Sequence, residues 1–226
     1  MLAHIAHDKN LLRAHRGPVL GVAALIAAMV ADLVQTVVDP ANSDKASKLY
    51  AASSHHHGRM VAAAILLLAS AFLLVPGVFA VTRTLRTRGR RIGAAGAALA
   101  VLGAAGHVAL ATFYVVFATI PGSSLPAAQG VELLDHITHS REALVVAPLA
   151  IAFPLAILAT LIATVRAGLV GRRLLVPLVA APVVGIVAPG PDALKTCGAL
   201  VLFLAAAAVL LRAASRQPAS SAPATV

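Results

Sequence analysis

Ala62-Ala63-Ala64-Ile65-Leu66-Leu67-Leu68-Ala69 decides how this chain folds. The run is apolar at every position. A strand of a membrane barrel would alternate apolar and polar residues. A continuous run satisfies its backbone in lipid only as a helix. Extended outward, the apolar stretch covers 60–82, and a helix needs about 20 such residues to cross the hydrocarbon. Similar stretches lie at 18–38, 94–119, 143–165, 174–189 and 194–212. The reading is therefore an all-α polytopic membrane protein, a bundle of six transmembrane helices. The fifth stretch is short and holds Pro177 and Pro182, so a re-entrant segment is the alternative there.

The bulk composition agrees. Of 226 residues, 60% are hydrophobic and 12% charged, against roughly a quarter charged in soluble domains. The mean hydropathy is +0.92, more apolar surface than a soluble chain of this length can hide. The first apolar run follows a basic start and ends in Ala28-Met29-Val30-Ala31, which imitates a signal-peptide cleavage site. It continues through Leu33, Val34, Val37 and Val38, and is read as a retained helix.

The net charge of +10 would suggest nucleic acid in a soluble protein. Its distribution argues for topology instead. Lys9, Arg13 and Arg16 precede the first span. Arg83, Arg86, Arg88, Arg90 and Arg91 separate the second from the third. Arg166, Arg172 and Arg173 follow the fourth, and Arg212 and Arg216 follow the sixth. The opposite side receives Lys45, Lys48, Arg59, Arg141 and Lys195, with most of the acids. The positive-inside rule then places both termini in the cytoplasm. Residues 1–17 form a cytoplasmic segment, 18–212 the transmembrane domain and 213–226 a disordered tail. The expected partners are the lipid bilayer and a second copy or another membrane protein, not nucleic acid. The arginine and alanine bias points to a bacterial cytoplasmic membrane. Cys197 is the lone cysteine, so no internal disulfide forms.

Two hairpins echo each other at an offset of 82 residues. His57-Gly58-Arg59 and His139-Ser140-Arg141 precede spans, and Gly89-Arg90-Arg91 and Gly171-Arg172-Arg173 follow at matching distances. A two-span repeat would be parallel. Basic residues flank most membrane hairpins, which is the plainer explanation.

The densest polar signal is Glu132-Leu133-Leu134-Asp135-His136-Ile137-Thr138-His139-Ser140-Arg141-Glu142. On one helix, Glu132, Asp135, His136, His139 and Glu142 fall within an arc of roughly 120°. Imidazoles and carboxylates on one stripe suit a divalent transition metal such as zinc, iron or copper. His57, from the His55-His56-His57 triplet, would join His136 and His139 as a ligand. Glu132, Asp135 or Glu142 would be ligand or general base, and Arg59 and Arg141 would hold an anionic substrate group. The plainer reading is a solvated amphipathic helix at the interface.

Ionisable groups inside spans are costly and mark function by default. Asp32 begins a stripe with Gln35, Thr36 and Asp39 on the first span. His107 sits mid-way along the third, on a face with Gly96, Ala100, Gly103 and Tyr114. Small residues there favour close helix packing, aiming His107 into the bundle toward Asp32 or Tyr114. Pro76 and Pro154 interrupt the second and fourth spans, kinking them. Three functions follow as expectations. One is a metal-binding membrane protein acting on a lipid-like or small substrate. Another is a small proton-coupled transporter using Asp32 and His107. The third is a non-catalytic subunit of a membrane complex.

Overall fold

The computed structural model describes residues 2–40, 45–85 and 89–169. They form α1 (Leu2–Val38), α2 (Ala46–His55), α3 (His57–Arg83), α4 (Arg90–Thr119), α5 (Ala127–Thr138) and α6 (Arg141–Arg166). A 3-10 turn over Ile120–Gly122 links α4 to α5. No strand occurs among the described residues. Four stretches, Leu20–Val38, His57–Arg83, Arg90–Gly122 and Ala143–Arg166, are long and apolar enough to cross a membrane. They match the first four expected spans. The stretches at 174–189 and 194–212, the tail from 213 and the Gly171-Arg172-Arg173 element of the repeat lie outside the described residues.

Sequence chemistry explains where the helices stop. Asp39-Pro40 ends α1, because proline pushes the residue before it out of helical geometry. α4 instead passes at Ile120, still helical with φ −58 and ψ −47, into the 3-10 turn that carries Pro121. Ser140 starts α6 as its N-cap, accepting a hydrogen bond from the Ala143 amide at 3.2 Å.

That cap corrects one expectation. The stripe 132–142 is not a single helix: α5 closes at Thr138, and Glu142 falls in the first turn of α6. The connections between the first and second spans and between the third and fourth hold α2 and α5. The histidine triplet is divided between two helices. His55 ends α2, His57 begins α3, and His56 forms the corner with φ −129 and ψ 38.

The four long helices share one apolar core. Leu25 of α1, Leu74 and Val78 of α3, Ala100 of α4 and Phe153 and Ala156 of α6 are buried together. α3 packs against α1 and α4, and α4 packs against α6. Lipid offers apolar side chains as good an environment as the core, so close fit carries the association. Two glycines of α4 set that fit. A Cβ on Gly103 would lie 2.5 Å from the Phe153 amide nitrogen, and one on Gly106 would strike the Leu149–Ala150 backbone. The outward faces remain apolar: Phe72 is 74% exposed and Leu144 72%. In water this would be a liability; in a bilayer it is the lipid contact.

At one end of the bundle, α2 and α5 form a cap. Leu49, Met60, Phe117 and Leu134 make a second core beneath it. Leu134 is fully buried, worth about 2 kcal/mol against water. The other end carries Arg83, Arg90, Arg91 and Arg166 at helix termini. Gly89 turns the chain there with φ +95, and a Cβ would sit 2.5 Å from the Ala163 carbonyl oxygen. Both the left-handed backbone and the close approach require glycine.

Candidate functional site

His107 is a buried ionisable side chain in the bundle with a partner at each ring nitrogen. It lies on α4 one turn after Gly103, and it is 5% exposed. The absent Gly103 and Gly106 side chains let α6 approach, and the Phe153 ring meets the imidazole edge-on at 4.2 Å between centroids. Ring Nδ1 lies 3.2 Å from the Gly103 carbonyl oxygen. Ring Nε2 lies 3.1 Å from Oδ1 of Asp32 on α1.

Both partners are acceptors, a carbonyl and a carboxylate, so each ring nitrogen faces a group to which it can donate, the roles depending on the tautomer. The bond between Nε2 and Asp32 places a proton between the two side chains. Asp32 is partly open, with 36% of its side chain exposed against 6% for His107. Breaking such a pair strands a poorly solvated charge.

A second polar rung lies nearer the cap. The Tyr114 hydroxyl donates a short hydrogen bond to Oδ2 of Asp39. Gln35 Nε2 donates to the same hydroxyl at 3.4 Å. Both rungs join residues 75 apart in sequence. Seven residues separate Asp32 from Asp39 and His107 from Tyr114, or about 10 Å along either helix. α1 and α4 thus run parallel and meet through side chains, α1 packed mainly on α3 and α4 on α6 and α3. The result is a ladder of Asp32, His107, Gln35, Tyr114 and Asp39 rising toward the cap. His107 does not bond Tyr114; the tyrosine lies two turns beyond it.

The remaining candidates sit apart from this ladder. Glu132, Asp135, His136 and His139 are all exposed on the outer side of α5. His139 Nδ1 donates to the Asp135 carbonyl at 3.0 Å and lies 3.4 Å from Asp135 Oδ1, closing the end of its own helix. Leu134 faces inward, while Leu133 is 38% exposed. A depression of about 470 Å³ runs along Gln129, Glu132, Leu133, Asp135 and His136, all from α5. His57 is bound elsewhere, its Nδ1 donating to the Ala118 carbonyl of α4 at 2.9 Å. Arg59 Nε donates to the Val38 carbonyl at 3.0 Å, placing a cation at the negative end of α1. Arg141 is exposed at the start of α6. Among the described residues, no three of His, Cys, Asp and Glu gather closely enough to hold a metal ion.

Buried hydroxyls in the bundle bond their own helices. Ser70 donates to Leu67, Thr160 to Ala156 and Thr164 to Leu161, as serine and threonine commonly do in membrane helices. The ladder therefore stops at His107. Below it, toward the arginine end, lie Phe153, Leu25, Leu74 and Ala100.

The Asp39–Tyr114 rung is the part that residue-by-residue reading misses. Its signal is there nonetheless: an Asp-x6-Asp interval on α1 matches a His-x6-Tyr interval on α4. The chain matches no known protein family, no curated protein and no solved structure.

Proposed function

We propose that this chain is a small proton-coupled membrane carrier in which Asp32 and His107 hold the transferred proton. The observation that supports this most is that both imidazole nitrogens of His107 face acceptors. One proton must therefore sit between a buried imidazole and a half-open carboxylate. A site that has to hold a proton at mid-depth is what coupling requires, and intramembrane acid–imidazole pairs recur in proton relays. The Gln35–Tyr114–Asp39 rung supplies donors and acceptors between the pair and the cap. Hydroxyl, amide and carboxylate groups can pass protons along hydrogen bonds when water completes the chain.

In this reading the arginine end faces the cytoplasm of a bacterial cell, and the cap formed by α2 and α5 faces out. The apolar plug at Phe153 then isolates the pair from the cytoplasm, and the ladder opens outward. The metal-dependent reading gains no comparable support, because the α5 groups converge with nothing across from them.

The test is proton flux into vesicles. Purified protein is reconstituted with an internal pH-sensitive dye, and inward flux is driven by a potassium diffusion potential. The wild type should acidify the lumen faster than protein-free vesicles. Asp32→Asn and His107→Phe should return the rate to that of empty vesicles. Equal flux in wild type and Asp32→Asn rejects the assignment.

A further inference from the structure

The arginine end carries a second feature, independent of the proton site. Arg83 closes α3, Arg90 and Arg91 open α4, and Arg166 closes α6. All four are exposed. None has a hydrogen bond or ion pair among the described residues. Helix packing brings them to one edge. Gly89 lies against the Ala163 carbonyl, so the start of α4 abuts the end of α6. Gly93 of α4 lies against Thr82 and Leu85, which sets Arg83 at the same level.

Two of these positions are unfavourable in isolation. Arg90 and Arg91 occupy the first turn of α4, where the helix dipole repels cations. α4 has no acidic residue in its first turn, and among the described residues no acid pairs with them. A concentration of positive charge without a counter-charge among the described residues calls for an external anion. The depth limits which anion. The arginines end helices whose outward faces are apolar, so they stand where lipid headgroups begin. On α3 the outward stripe leads to them: Phe72 is 74% exposed, Phe79 38%, and Arg83 follows one turn after Phe79. A chain laid along Phe72 and Phe79 would end with its headgroup at Arg83.

We propose that this edge binds an anionic phospholipid. The guanidinium groups of Arg83, Arg90, Arg91 and Arg166 hold the phosphate, and an acyl chain lies along Phe72 and Phe79. Guanidinium suits the role because its planar donors meet two phosphate oxygens at once. Basic sites between membrane helices favour such headgroups over zwitterionic ones.

The experiment measures lipid selectivity by electron spin resonance on reconstituted full-length protein. Spin-labelled phosphatidylglycerol is compared with spin-labelled phosphatidylcholine. The wild type should immobilise more of the anionic lipid. Each arginine replaced by glutamine should weaken that preference roughly fivefold. Lys45→Gln with Lys48→Gln, at the cap end, should leave it unchanged. On the wild type alone, 1 M salt should remove most of the preference, a readout that needs no variant to fold. Equal immobilisation of both lipids overturns the proposal. So does a preference that survives high salt, or one that persists with all four arginines replaced. Complete displacement by inorganic phosphate would overturn it in favour of a free-phosphate site.

Discussion

The outer face of α5 and the seam between α1 and α4 hold the same kinds of side chain and behave differently. α5 has four ionisable groups within eight residues, Glu132, Asp135, His136 and His139. All four point into solvent, and the one close contact among them, Asp135 with His139, runs along a single helix. The seam has as many, Asp32, Asp39, His107 and Tyr114, but scattered over 83 positions of the sequence. There they converge from two helices, with His107 buried and Tyr114 half-buried. Density along the chain is therefore a poor guide to a site. A helix presents neighbours at i+3 and i+4 whether or not anything faces them. Burial between elements makes polar groups depend on one another, because water no longer competes.

That contrast breaks first at its scaffold. Gly103→Leu should be the most damaging change, because its side chain meets the Phe153 backbone and forces α6 off α4. We expect a loss of about 3 kcal/mol or more, measured as a collapse of thermal stability in detergent, with proton flux abolished. Next comes the pair itself. His107→Leu should cost about 2–3 kcal/mol, less than for a fully buried pair because Asp32 is partly exposed. Combined with Asp32→Asn, the losses should be non-additive, with a coupling of about 1–2 kcal/mol in a double-mutant cycle. Additive losses would show that the two residues act separately. Tyr114→Phe removes the second rung and should cost about 1 kcal/mol, slowing flux without abolishing it. On α5, Glu132→Gln with His136→Ala should change stability by less than about 0.5 kcal/mol and leave flux intact. A large effect there would reverse the comparison. Ser53→Ala should be the mildest change, neutral or slightly stabilising. The Ser53 hydroxyl is buried with no partner among the described residues, and an unmet donor is better removed.

Much of the bundle was legible from sequence, for a physical reason. Crossing a bilayer demands length and apolarity, and both are composition-level properties. The spans at 60–82 and 143–165 needed only counting. Asp32 and His107 were legible because lipid makes any ionisable group conspicuous. The cap was not. α2 and α5 are amphipathic and short, and their burial depends on each other: Gly130 is bare so that the Tyr50 ring can pass. No local pattern reveals that crossing. The α5–α6 break turned on Ser140, whose capping role competes with a polar stripe that reads straight through it. His57 looked like a metal ligand because its type suits metals; its bond to Ala118 is a tertiary fact. The Tyr114 partner was misjudged by two turns, since a shared helix face carries no depth.

The paired seven-residue intervals have a mechanical consequence. α1 and α4 are held at one relative height by two fasteners set the same distance apart. Slide α1 by a single turn and both release together, leaving His107 opposite Thr36 or Gln35 and Tyr114 opposite no acid. Intermediate positions satisfy neither. The spacing works as a ruler, and any axial stroke of the first helix would have to be all or nothing.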